Sequence, residues 1–185
     1  MNFEDYKREL ELTLSKMPNI DRDIASLVNR ITNTYDKGGL VLVAGNGGSA
    51  ADAQHFVAEL VGTYSDRSRR GLAAIALTSN TSNLTSIAND FDYESVFSRQ
   101  VEAFRNQPCL LIGITTSGNS PNIYRALAES AGYDHHDQFA LLGKTGGVCK
   151  DFDNITVPSH HTGVIQTVHN MIYHTVCDEL DRLYK

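Results

Sequence analysis

The sequence predicts an α/β fold: a doubly wound parallel sheet of about five strands, preceded by two helices. Three observations carry this reading. The strand-length segments are apolar throughout, as in sheets covered on both faces; helical periodicity fills the stretches between them; and small-residue loops stand where strand passes into helix. Taken in order, Phe3, Tyr6, Leu10, Leu14 and Met17 recur at helical spacing, Pro18 interrupts, and Ile20, Ile24, Leu27, Val28 and Ile31 repeat the pattern until Gly38-Gly39 stops it. Each of these helices carries one apolar stripe that calls for cover, so residues 1–38 read as a helical oligomerisation segment with a second copy of the chain as its partner. Leu40 to Ala44 is the first buried strand, and Gly45 to Gly48 turns it into a helix from about Ser49 to Val61. A strand at 72–77, helical segments within 82–103, a strand at 110–114 and a helix at 120–131 continue the alternation. Strands at 138–142 and 154–157 and an amphipathic helix at 163–183 complete it. Right-handed crossovers in such a sheet put ligands beyond the C-terminal strand ends, which here means the loops at 45–49 and 115–120.

Size and charge narrow the function. The 185 residues, 41% of them hydrophobic, suit a single domain over 1–185. A net charge of -6 argues against nucleic acid as a partner, since the only dense basic cluster is Arg67, Arg69 and Arg70. Cys109, Cys149 and Cys177 form neither a disulfide framework nor a cysteine metal site, so a reducing, cytoplasmic setting is expected. The acid-containing N-terminus does not read as a signal peptide, and no segment approaches ~20 consecutive apolar residues, so no membrane association is expected.

Both loops suit an anion. In Gly45-Asn46-Gly47-Gly48-Ser49 the glycines permit close backbone approach, and the following helix offers free N–H groups and a partial positive charge. A tight turn without a ligand explains the same residues. Gly45-x-Gly47-x-x-Ala50 also fits a dinucleotide fingerprint, but the acid expected after the next strand is missing, with Leu77-Thr78-Ser79-Asn80 in its place. In Thr115-Thr116-Ser117-Gly118-Asn119-Ser120-Pro121, helix capping accounts for Ser120 and Pro121 and leaves a run of hydroxyls suited to a phosphate monoester. Neither loop holds a Lys, so a Walker-type nucleotide site is excluded.

His55 and Glu59 stand at i and i+4 of one helix and could hold a metal, although an ordinary helix-surface contact explains the pair as well. On the last helix Gln166, Asn170 and His174 share a polar stripe opposite Val168, Met171, Ile172, Thr175 and Val176. Gln166 and His174 lie about 12 Å apart along the axis, near the limit for two ligands of one ion. His169 is either a site residue or a packed histidine.

Five motifs in register, Gly45-Asn46-Gly47-Gly48-Ser49, Asp52-Ala53-Gln54-His55-Phe56, Ile87-Ala88-Asn89-Asp90, Thr116-Ser117-Gly118-Asn119-Ser120 and Ile165-Gln166-x-x-His169-x-x-x-x-His174, resemble the phosphoheptose isomerase branch of the sugar isomerase (SIS) fold over nearly the whole chain. The resemblance implies a homotetramer with active sites at subunit interfaces, one Zn2+ per subunit, and interconversion of sedoheptulose 7-phosphate and D-glycero-D-manno-heptose 7-phosphate. It implies sugar-phosphate contacts at Asn46, Gly47, Gly48, Ser49, Glu59, Asn89, Asp90, Thr115, Thr116, Ser117, Ser120 and Gln166. The implied zinc ligands are His55, Glu59, Gln166 and His174, with Glu59 and His174 as the catalytic pair. Two departures stand out: where the family commonly has an Arg shortly after the catalytic Glu and an Asp-Arg pair before the Gln, this chain has Thr63 and Gly163-Val164. Another phosphorylated ketose is therefore an alternative substrate. The rival class is a non-catalytic SIS scaffold of the kind that binds a bacterial replication initiator, but such relatives lack the Glu and the final His that are present here as Glu59 and His174. A sugar-phosphate-sensing regulator is a third class, without an appended effector segment to support it.

Overall fold

A computed structural model describes residues 1–185. Five parallel strands, β1 (Leu40–Gly45), β2 (Ala74–Ala76), β3 (Cys109–Thr115), β4 (His136–Gly143) and β5 (Asn154–Val157), lie in the order β2-β1-β3-β4-β5. Strand order reverses between β1 and β3, so the loops leaving these two strands flank the crevice where open α/β sheets bind ligands. The helices are α1 (Phe3–Ser15), α2 (Ile20–Asp36), α3 (Gly48–Val61), α4 (Thr81–Asp90), α5 (Ser98–Ala103), α6 (Pro121–Ala131) and α7 (Thr162–Leu183), with short 3-10 turns at Tyr93–Ser95 and Gly147–Asp151.

The apolar runs are buried on both faces because successive strand residues point opposite ways. Val41 and Val43 join the core under α2, α3 and α7, whereas Leu42 and Ala44 join the one under α5 and α6. The helix α2 belongs to the first core through Ile24, Leu27, Val28 and Ile31, so residues 1–38 supply part of the sheet's own cover, while Phe3 and Leu12 of α1 stay exposed. The strand expected at 72–77 is shorter at its start, where the Leu72 N–H bonds to the Leu60 carbonyl at 3.0 Å rather than to β1, whereas the Leu77 N–H just beyond β2 still reaches the Val43 carbonyl at 2.9 Å. The basic cluster dissolves, with Arg69 buried and Arg70 over the Tyr184 ring. Met171 and Thr175, expected on the inner arc of α7, are exposed, because α7 packs against α1, α2 and α3 as well as the sheet and its buried arc turns toward Tyr173 and Cys177. All three cysteines are free and buried, and no helix is long and apolar enough to cross a membrane.

His169 is a packed histidine. It is fully buried, with Nε2 2.9 Å from the Leu142 carbonyl and Nδ1 without a partner. Burial pushes its pKa down to about 4, the bond to Leu142 offsetting only part of the effect. The unfolded chain takes up a proton near pH 6.5 and the native protein only near 4, so stability falls as pH drops through that window, by about 3 kcal/mol in all. Urea unfolding at pH 7 and pH 4 should show this loss, reduced in His169→Gln, which keeps an N–H donor but cannot titrate. Equal pH dependence in the two proteins would count against it.

Candidate active site

The α3 helix places His55 and Glu59 one turn apart, with Nε2 of the histidine 3.0 Å from Oε1 of the carboxylate. His174 arrives from α7, its Nε2 3.5 Å from His55 Nε2, and donor atoms of all three residues lie within 4.8 Å of one another. Two imidazole nitrogens and a carboxylate oxygen converging this way make a cluster that could hold a metal ion. The surroundings orient them. The Tyr173 hydroxyl lies 3.1 Å from His55 Nδ1 and accepts a bond from Asn170, and the Tyr64 ring stacks on His174 with centroids 5.1 Å apart. Burial, reinforced by neighbouring His55 and opposed by Glu59, holds the His174 pKa below the ordinary imidazole range, so the ring is neutral near pH 7. Burial raises Asp52, with His55 and Tyr173 offsetting part of the rise.

The two loops meet at the switch point. A Cβ on Gly45 would overlap the Ser49 backbone, and Gly118 has a φ of +67° with a Cβ position occupied by the Gly146 carbonyl, so neither loop can close this tightly without glycine. Ser49 is buried in the first turn of α3, while Gly47 and Gly48 are exposed. Thr115 Oγ1 lies 2.9 Å from Ser120 Oγ and 3.4 Å from Ser117 Oγ. Ser120 holds the N-cap position of α6 without capping it, its hydroxyl turned to Thr115 instead, so capping does not account for the residue. Thr116 is half-buried beside this group.

Other expected site residues are placed differently. Gln166 lies with its amide against Gly48, where a Cβ would overlap it, and makes no hydrogen bond with His55, Glu59 or His174. Asn89 and Asp90 end α4, exposed and bonded to each other at 2.8 Å. At the departures, Thr63 donates to the Asp66 carbonyl at 2.6 Å, and the His161 and Tyr6 rings come to 3.3 Å from a Cβ position on Gly163. Tyr64, Tyr93 and Asn122 went unread in the sequence. Asn122 follows Pro121 at the start of a helix, a place where polar residues are ordinary, and isolated tyrosines carry no periodic signal.

Fold and site together define the class. The SIS domain family matches residues 5–136, and the chain is 47% identical to phosphoheptose isomerase 1 of Campylobacter jejuni over 87% of each chain. It resembles the solved phosphoheptose isomerase of Francisella tularensis at 34% identity and a TM-score of 0.87, covering 97% of this chain and 94% of that one. The corresponding enzyme of Neisseria gonorrhoeae gives 34% and 0.85, with coverages of 97% and 95%. This chain belongs to the phosphoheptose isomerase family of SIS-domain proteins.

Proposed function

We propose that the protein interconverts sedoheptulose 7-phosphate and D-glycero-D-manno-heptose 7-phosphate. The convergence of His55, Glu59 and His174 beside two anion-suited loops carries this reading. The phosphate is held by the hydroxyls of Ser49, Thr116, Ser117 and Ser120, ordered by Thr115, with helix N-terminal amides and the backbone of Gly47 and Gly48. Asn46, Asn89, Asp90 and Gln166 contact the sugar. The reaction moves one proton between C1 and C2 and another between their oxygens. The Glu59 carboxylate takes a proton from C1 while a proton is placed on O2, giving the enediol; the proton held on Glu59 exchanges with solvent, and the carboxyl then delivers a proton to C2 as O1 loses its own. His174, neutral near pH 7, serves the oxygens.

His55, Glu59 and His174 would hold one zinc ion per subunit, which supplies Lewis-acid polarisation of the sugar carbonyl. Gln166 belongs with the substrate at Gly48, and its service as a fourth ligand requires the amide to leave that place. The assembly is a homotetramer in the cytoplasm; the exposed Phe3 and Leu12 of α1 and Met171 of α7 support association between copies. The scaffold reading is set aside because Glu59 and His174 are not merely present but meet at one point.

The test is an assay of zinc-loaded protein with sedoheptulose 7-phosphate in deuterated water, with light scattering on the same sample. The expected result is aldose product carrying deuterium at C2, from a tetramer. Turnover of other phosphorylated ketoses but not this one would move the substrate to the alternative that Thr63 and Gly163-Val164 leave open, and no turnover of any would overturn the isomerase reading.

A further inference from the structure

Asn122 is 2% exposed and has no part in the chemistry described above. Its amide and that of Asn46 face each other head to tail: Asn46 Nδ2 donates to Asn122 Oδ1 at 2.8 Å, and Asn122 Nδ2 donates back to Asn46 Oδ1 at 2.9 Å. Asn46 belongs to the loop after β1 and Asn122 to the first turn of α6, just past the loop after β3. The pair therefore bridges the switch point and joins the two loops assigned to the phosphate. A third segment ends on the same atom, since the Tyr93 hydroxyl donates to Asn46 Oδ1 at 3.2 Å. Tyr93 is 60% exposed and stands three residues beyond Asp90, on the segment that carries Asn89 and Asp90.

The hydrogen-bond inventory shows what this does. An amide oxygen has two acceptor sites, and both on Asn46 are filled, by Asn122 and Tyr93; one of the two Nδ2 protons is committed to Asn122. The other Nδ2 proton makes no bond within the protein, so it is the one that can meet a sugar-phosphate oxygen. A lone Asn on a glycine-flanked loop has several rotamers and can turn either its oxygen or its nitrogen toward a ligand. With its oxygen engaged twice, Asn46 is restricted to presenting the nitrogen, the end that suits an acceptor-rich ligand.

We propose that Asn122, with Tyr93, is a positioning residue for sugar-phosphate binding: it fixes the Asn46 amide as a donor and holds the loops after β1 and β3 in register with the segment carrying Asn89 and Asp90. The proposal rests on the site reading above. It assigns Asn122 no contact with the reacting atoms, so its removal should weaken binding and spare the chemical step.

A double-mutant cycle on the zinc-loaded tetramer tests this, reading KM and kcat for sedoheptulose 7-phosphate, the dissociation constant of the same sugar phosphate by calorimetry, and Tm. Asn122→Ala should raise KM about tenfold with kcat within about threefold of wild type. In an Asn46→Ala background the same change should raise KM less than twofold, because the side chain it positions is already gone. Tyr93→Phe removes one hydroxyl from an exposed ring, does not threaten folding, and should raise KM two- to fivefold with Tm unchanged. A merely structural Asn122 would lower Tm and shift KM by the same factor in both backgrounds. That result overturns the proposal, as does an unchanged KM in Tyr93→Phe should Asn122→Ala fail to fold. The two readings fail separately. Wild type that binds the sugar phosphate without converting it overturns the isomerase and leaves the cycle readable in the dissociation constants, whereas an additive cycle in an active enzyme overturns the positioning role alone.

Discussion

Glu59→Gln is expected to lose a factor of at least ~100 in turnover, the usual scale for a positioned general base, while staying folded and binding sugar phosphate. The substitution keeps the side chain's length and one oxygen, so the 3.0 Å contact with His55 can survive in altered form, but an amide cannot accept a proton from C1. The same carboxylate is also a candidate zinc ligand, and the two roles must be separated. Zinc content, turnover and solvent-deuterium incorporation measured on one preparation do so. Loss of deuterium exchange with zinc retained assigns the defect to the base, whereas loss of both assigns it to the metal. His174→Gln should lose turnover similarly, with the defect on the oxygen proton. A chelator should suppress the wild type and added zinc restore it. Wild-type turnover surviving both substitutions would refute the mechanism.

How far the sequence foretold this site depended on whether its signals were local. The proximity of His55 and Glu59 was legible because helical spacing of four residues is itself a geometric statement, and the two loops drew notice as glycine and hydroxyl residues between an apolar strand and a helix, where a tight turn or helix capping was the competing explanation. The five-strand parallel sheet followed from unbroken apolar runs, and β5 begins and ends where expected. Contacts between distant segments were hidden. Nothing in the sequence sets Asn122 against Asn46 across 76 positions, or brings Tyr64 face to face with the His174 ring. Gln166 shows the converse limit: periodicity put it on one stripe with His174, but the same stripe runs two turns along α7, and its amide ends at Gly48. The role of His169 was undecided because burial, the property that settles it, is a product of the whole fold.

Arg69 was read as part of the one dense basic cluster, and its buried guanidinium supports the second large expected effect. Removing its partner, in Asp181→Asn, should cost about 3–5 kcal/mol of stability, the range for stranding one member of a buried ion pair. Arg69 is 5% exposed and Asp181 2%, with Nε and Oδ1 2.5 Å apart. The guanidinium also donates to the carbonyls of Glu59 at 2.6 Å and Leu60 at 2.9 Å in the last turn of α3, where helix carbonyls lack intrahelical partners, and to that of Arg70 at 2.7 Å. Burial would raise the Asp181 carboxyl, but the backbone N–H groups of Asp66 and Ser65, with Arg69 and the Ser65 hydroxyl, bring it below the usual carboxylate range. A lowered native pKa means the contribution is complete above the unfolded value near 4 and fades as pH falls below it, so the loss should be fully visible at pH 7. Urea unfolding of Asp181→Asn, Arg69→Met and the double variant at pH 7 measures this. The double variant should fall well short of the sum of the singles, because the second change strands no further charge. Additive losses, or a loss below about 1 kcal/mol in Asp181→Asn, would mean that the pair is not what closes α3 against α7.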